Sequence, residues 1–178
     1  DWSWKTILPL GHISVYSAFH LSDKIVAIGN TMDKYGLNQN PDFFVVENET
    51  IKLLASWGES IGNSVGTDVR FGGGESIVRD GDYIYFSTTL DHSSYIYRID
   101  VNGTIESIIG DEGSVDCFSV HNGKLMFIGL RDQKLQEVYD ENEVCLTSFN
   151  TSVLEGKYVA EPEEIEFEND GVTFTGWV

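Results

Sequence analysis

A Gly-x-Ser-x-Gly motif occupies residues 62–66, and its serine is the residue most suggestive of nucleophilic catalysis. In hydrolases this motif holds the serine on a strained turn between a strand and a helix, and an acid and a histidine follow it in the chain. Here residues 67–74 follow, and they will not begin a helix. The later histidines, His92 and His121, lie in or beside predicted strands. We therefore expect Ser64 to lie in a loop and assign no catalytic residue; a small complete enzyme that uses Ser64 is the alternative.

Other polar residues give weaker signals for a site. The glycines at 72–74 could suggest phosphate binding, but no Gly-Lys-Ser/Thr sequence follows and no helix begins nearby. Glu163 and Glu164 point to opposite faces of a strand, so they cannot act as an acid–base pair. We expect no cofactor and no metal, and the exposed loop at Asp91-His92 is a candidate ligand contact. The histidines are too far apart in sequence to form a metal signature: His12, His20, His92 and His121.

The charge of the chain limits its partners. The 178 residues carry a formal net charge of -18, with a pI near 4.3. This balance argues against nucleic acid and anionic membrane surfaces as partners, because both repel an acidic protein. No apolar run is long enough to span a membrane. Acidic residues are concentrated between 155 and 170, which we interpret as a solvated face plus a linker, with a cation-attracting patch as the alternative.

Cysteine usage and the chain start bear on location. Cys117 and Cys145 lie in predicted strands, and we expect buried free thiols because a secreted scaffold would hold more cysteines. The first residues are not a secretory signal, and a start at Asp1 leads us to expect a chain cut from something longer. We therefore interpret the three Asn-x-Ser/Thr sequences as turns and expect a cytoplasmic location.

The elements that must position these residues are short β-strands. Residues 76–109 contain four β-type runs, and two of their joints are Asp-Gly and Asn-Gly, the strongest hairpin signals. The pattern recurs downstream, where Asn122 follows Asp80 by roughly 42 residues, the spacing of one propeller blade. It also recurs upstream from Asp23, with a loop insertion at 31–41. Three copies of one unit predict the fold better than any single motif.

The second strands of these units are apolar at consecutive positions, which predicts sheets that are covered on both faces, as in stacked blades. They are residues 25–28, 83–86 and 125–128. A final hairpin alternates cleanly, so we expect Ile165 and Phe167 on a dry face and glutamates on a wet one. We predict one all-β domain over 1–178, a partial β-propeller of about three four-stranded antiparallel blades. The blades cover about 12–60, 67–110 and 114–148, and 149–178 form a linker and hairpin.

Several segments in residues 74–178 resemble the prolyl oligopeptidase family of serine peptidases, and most of all its acylaminoacyl-peptidase branch. The similarity is carried by Ile-Tyr-Arg-Ile-Asp at 96–100, Leu-Thr-Ser-Phe-Asn at 146–150, and Glu-Pro-Glu-Glu-Ile-Glu-Phe at 161–167, followed by Asp170-Gly171 and a final Thr-Gly-Trp-Val. In that family such a hairpin leads from the last propeller blades into the α/β-hydrolase domain. Residues 1–73 match only loosely.

The resemblance implies a function for the whole protein and a limit for this chain. The family's catalytic serine, aspartate and histidine lie in the hydrolase domain, which we expect to be absent here. The chain would then be a non-catalytic propeller segment that restricts the access of short peptides to its parent's active site. The expected partners are the parent hydrolase domain, its peptide substrates and, through open blade edges, a second copy in a homodimer. A free-standing propeller-type binding or scaffold module is the alternative.

Overall fold

The computed structural model describes residues 2–11, 13–65 and 73–178, and the prediction of an all-β chain is confirmed. Three antiparallel sheets follow one another along the chain and are named sheets 1, 2 and 3. Sheet 1 contains β1 (Ser14–Leu21), β2 (Lys24–Asn30), β3 (Asp42–Glu47) and β4 (Thr50–Ala55) in that order. Sheet 2 contains β5 (Ile77–Asp80), β6 (Tyr83–Leu90), β7 (Ser93–Asp100) and β8 (Ile105–Ile109).

Sheet 3 has three regular strands, β9 (Cys117–His121), β10 (Lys124–Gly129) and β11 (Glu137–Asp140). The expected fourth strand is reduced to a single bridge between Tyr139 and Cys145. The reason is local, because the Val138 amide donates to the hydroxyl Oγ1 of Thr147 at 2.9 Å. That side chain takes the place of the backbone carbonyl that a regular ladder would need.

After sheet 3 the chain forms a one-turn helix, α1 (Thr151–Leu154), and a separate hairpin of β12 (Glu164–Asn169) and β13 (Val172–Trp177). The expected dry face of this hairpin was wrong, because Ile165 and Phe167 are exposed as well as the glutamates. No element of the described chain packs over that face. A further difference is Cys145, which is exposed rather than buried, while Cys117 is half-buried; both thiols are free.

Two apolar clusters hold the three sheets face to face. The first cluster joins sheets 1 and 2 through Val26, Ile28, Phe43, Ile84 and Phe86. The second joins sheets 2 and 3 and includes Tyr85, Ile96, Leu125 and Phe127. Because β6 contributes to both clusters, sheet 2 is buried on both faces, as its unbroken apolar sequence predicted. Among the described residues, no helix is long and apolar enough to cross a membrane.

Candidate functional site

Ser64 lies in a segment, residues 61–64, that runs beside the end of β6. Ile61 forms a bridge with Thr88, and the amide of Gly62 donates to the carbonyl of Ser87 at 2.7 Å. The amide of Ser64 donates to Oγ1 of Thr89 at 2.9 Å. The serine side chain is exposed, and the described residues stop at Val65 and resume at Gly73. Gly66, the last position of the motif, lies outside the described residues.

The histidines considered from the sequence lie apart in the described structure. Nε2 of His92 lies 3.7 Å from a carboxylate oxygen of Glu112, and its ring packs edge-on against Trp177 at 5.1 Å. The ring of His121 contacts the side chain of Asn122, its neighbour. In residues 2–11, 13–65 and 73–178 no hydrogen bond joins either histidine to Ser64, and no group of three potential metal ligands occurs. His12 lies outside these ranges.

The glycine run at 72–74 lies partly outside the described residues, since Gly72 is not among them. Gly74 has a φ of +96° and approaches the next sheet closely. A Cβ atom at this position would lie 2.4 Å from Cβ of Cys117, so a side chain cannot fit without a shift. This glycine is therefore explained by packing where the chain passes over β9.

Several polar contacts of the described residues fix one sheet against the next. Asp80, at the end of β5, accepts backbone hydrogen bonds from Asn122 at 3.1 Å and Gly123 at 2.6 Å. These amides belong to the turn between β9 and β10, so one carboxylate of sheet 2 holds the first hairpin of sheet 3. The sequence marked Asp80 as a turn former only, and its role across the sheets was missed because the register between sheets is not visible in the sequence.

A buried ion pair fixes sheet 3 to the segment that enters it. Nη2 of Arg131 lies 3.2 Å from a carboxylate oxygen of Glu143, and the two side chains are 8% and 15% exposed. Glu143 also accepts hydrogen bonds from the amides of Gly110 at 3.0 Å and Asp111 at 3.1 Å. The Arg131 guanidinium lies 4.9 Å from the centre of the Phe127 ring. This group of contacts is named the latch.

A second buried carboxylate anchors the chain where it leaves sheet 3. Glu137 accepts hydrogen bonds from the Thr147 hydroxyl, from the Asn150 amide at 2.7 Å and from the Phe149 amide at 3.0 Å. The Thr147 hydroxyl and then the Asn150 amide hold the pKa of Glu137 below its usual value, because they stabilise the charged form more than burial disfavours it. The linker towards β12 therefore begins from a fixed point.

One face of sheet 3 is left without a neighbouring sheet. Counted from the turn after the first strand, Val26, Tyr85 and Met126 occupy the same position in the three sheets. Val26 and Tyr85 are 0% and 2% exposed, whereas Met126 is 53% exposed. The expectation that residues 125–128 are covered on both faces was therefore wrong in the described chain. The surface formed by Cys117, Met126, Ile128 and Val138 is named the open face, and it borders a cavity of about 240 Å³.

Comparisons with known proteins support this stacked architecture. No family model matches the chain, and no curated protein sequence matches it. Solved structures do match. An acylaminoacyl peptidase from Pyrococcus horikoshii shares 15% identity with a TM-score of 0.66, over 90% of this chain and 24% of that chain. The β-propeller domain of the Trilobed protease from Pyrococcus furiosus shares 16% identity with a TM-score of 0.52, over 71% of this chain and 37% of that domain's chain.

The three sheets are blades of a β-propeller. A puromycin hydrolase matches in the same way, with 12% identity, a TM-score of 0.58, and coverage of 90% of this chain and 24% of that chain. The chain therefore spans about a quarter of the length of two of these enzymes. At such identities the likeness shows the propeller fold, with each sheet stacked face to face on the next as a blade.

Proposed function

We propose that this chain is a non-catalytic propeller segment of a serine peptidase of the prolyl oligopeptidase family, similar to acylaminoacyl peptidases. The observation that carries the proposal is the match of 90% of the chain to about a quarter of a solved acylaminoacyl peptidase. The Leu-Thr-Ser-Phe-Asn segment and the Gly-Trp hairpin support the same family. The parent would act on short peptides with a hydrolase domain that this chain contacts through its linker.

The segment contributes a rigid wall. Blades that could separate would admit folded proteins to an active site behind them, so a gating wall needs its blades fixed to one another. Asp80 fixes sheet 2 to sheet 3 by two hydrogen bonds, and the latch fixes the entry to sheet 3. Two continuous apolar clusters add the non-directional part of the stabilisation. Only short, unfolded peptides would then pass.

The open face is the surface that a neighbouring sheet would cover in the parent. Its residues stand where sheets 1 and 2 are buried by the sheet that follows, which is why Met126 is exposed here. In a solution of this chain alone, we propose that a second copy covers the open face. Exposed contiguous apolar surface is the usual mark of such an interface.

The gene that encodes this chain tests the proposal. The parent is expected to contain, beyond the propeller, a Gly-x-Ser-x-Gly motif between a strand and a helix, followed by an aspartate and a histidine. A fluorophosphonate probe should label the full-length protein at that serine and leave the 178-residue chain unlabelled. A full-length protein without a hydrolase domain would refute the peptidase and favour a free-standing binding module. Labelling of the 178-residue chain that Ser64→Ala abolishes would refute the non-catalytic assignment.

A further inference from the structure

The first strand of sheet 1 contains a β-bulge at Tyr16. Val15 pairs with Gly29 and Ser17 pairs with Ile28, so Tyr16 is the extra residue with no partner in the ladder. Bulges redirect a side chain, and they are frequent beside binding sites. The ring of Tyr16 is half exposed, and its hydroxyl accepts a hydrogen bond from Nδ2 of the buried Asn30.

A folded loop lies beside this bulge. Residues 31–41 join β2 to β3, whereas the equivalent connections in sheets 2 and 3 are shorter, at 91–92 and 130–136. Gln39 holds the loop together. Its carbonyl accepts a hydrogen bond from Asn30 at 2.9 Å, and its side-chain oxygen accepts one from the Lys34 amide at 3.1 Å. A single 3₁₀ turn at Gly36–Asn38 places Leu37 at the tip, 85% exposed.

The loop, the bulge and the start of sheet 2 enclose a cavity of about 390 Å³, within the size range of ligand pockets. Three isoleucines line it: Ile28, Ile61 and Ile77. Its polar lining consists of neutral amide and hydroxyl residues, including Asn38, Asn40 and Ser76. None of its described lining residues is charged, although the chain carries a net charge of -18. This space is named the inter-sheet cavity.

We propose that the inter-sheet cavity binds an extended, uncharged peptide segment. Side-chain amides donate and accept hydrogen bonds, which matches the alternating donors and acceptors of a peptide backbone. The isoleucines offer an apolar surface to one aliphatic side chain. A charged side chain would lose its hydration there without meeting an opposite charge, so it is excluded.

Two features of the cavity wall are consistent with this assignment. Nδ2 of Asn30 donates to two lining residues, Tyr16 and Gln39, while its amide oxygen is buried without a hydrogen-bond partner in the described structure. Buried acceptors of this kind are rare in folded proteins. The exposed leucine at the loop tip would be covered by a bound peptide. The choice of a peptide as ligand rests on the proposed function.

The test uses the full 178-residue chain, labelled with ¹⁵N, and the blocked peptide N-acetyl-Ala-Leu-Ala-Ala-amide. We expect its titration to shift the amide resonances of residues 37–40 and 61, and expect the same peptide with aspartate in place of leucine to bind at least tenfold more weakly. Leu37→Asp changes an exposed position and should weaken the binding of the leucine peptide at least tenfold. Tyr35→Asp is the matched control, because it adds the same charge to the same loop outside the cavity lining, and it should leave the affinity unchanged.

Three outcomes would overturn the proposal: no saturable shifts, shifts confined to the open face, or equal binding by wild type and Leu37→Asp. These results are independent of the parent enzyme. Peptide binding at residues 37–40 by a protein whose gene contains no hydrolase domain would support the cavity and refute the peptidase. A parent gene with a hydrolase domain, together with no peptide binding at the cavity, would support the peptidase and refute the cavity proposal.

Discussion

Replacing Glu143 by glycine has two opposing effects on stability: it relieves backbone strain in a turn, and it removes the ion-pair partner of Arg131. Glu143 has a φ of 60°, a left-handed conformation that costs an ordinary residue about 1–2 kcal/mol. The equivalent position in sheet 2 is Gly103. Its amide donates to the carbonyl of Asp100, just as the amide of Glu143 donates to the carbonyl of Asp140. Glu143→Gly therefore relieves strain and copies a turn that the protein already uses.

The same substitution removes the carboxylate of the latch. Arg131 would then be buried without its charge partner, and its Nε already lacks a hydrogen-bond partner in the described structure. Breaking a buried ion pair by removing one partner costs about 3–5 kcal/mol. The relief of strain offsets about 1–2 kcal/mol of this. We expect a net loss of about 1–4 kcal/mol in the free energy of unfolding, which lowers Tm by roughly 2–16 °C in a chain of this size.

Glu49→Gly is the matched control for this experiment. Glu49 also has a left-handed φ of 61°, but it is exposed and no ion pair of the described structure includes it. Urea denaturation should therefore show Glu49→Gly to be about 1 kcal/mol more stable than wild type. If Glu143→Gly is as stable as Glu49→Gly, the latch contributes nothing and the reasoning from its burial is refuted.

Three further predictions concern other contacts. Met126→Glu should reduce the weight-average mass in sedimentation equilibrium towards that of the monomer; an unchanged monomeric mass in wild type would contradict self-association through the open face. The lowered pKa of Glu137 stabilises the fold above the usual glutamate pKa of about 4.3, and this stabilisation is lost as pH falls through the lowered value. The difference in urea midpoint between wild type and Glu137→Gln should therefore be largest at neutral pH and shrink as pH falls below the usual glutamate pKa; a constant difference would exclude the carboxylate as its source. Burial, with Cys145 adding to it, raises the pKa of Tyr139 to about 12, so ultraviolet titration should show one late tyrosine that Tyr139→Phe removes.

The fold was predictable because each unit repeats local signals. Asp-Gly and Asn-Gly turns fix the ends of hairpins, and consecutive apolar residues such as 83–86 require cover on both faces. Both signals act within a few residues, so the sequence contains them in full. The fourth strand of sheet 3 was not predictable in this way, because its loss depends on one hydroxyl, that of Thr147, replacing a backbone acceptor.

The contacts between sheets were not predictable from the sequence. Asp80 and the turn at Asn122 are distant in the chain, and nothing in either segment indicates the other. Nothing in the sequence around Glu143 indicates that its carboxylate binds Arg131. The same holds for the inter-sheet cavity, whose walls come from the loop at 31–41 and from sheet 2. A weak signal was present in that loop, which is longer than the equivalent connections at 91–92 and 130–136, because binding residues are often carried on loops.

The two ends of the stack differ, and this difference determines how the chain can associate with itself. The outer face of sheet 1 is partly covered: Ala27 and Phe44 are buried, and residues 5–7 share a cavity with the strands, whereas Val15 and Leu53 are 47% and 54% exposed. Residues 5–7 therefore obstruct part of the face of sheet 1 on which the open face of a second copy would have to stack. We therefore expect contact between two open faces to be favoured over head-to-tail stacking, which would produce open filaments. Self-association should accordingly stop at a dimer, and a mass that rises without limit with concentration would show that residues 5–7 do not protect sheet 1.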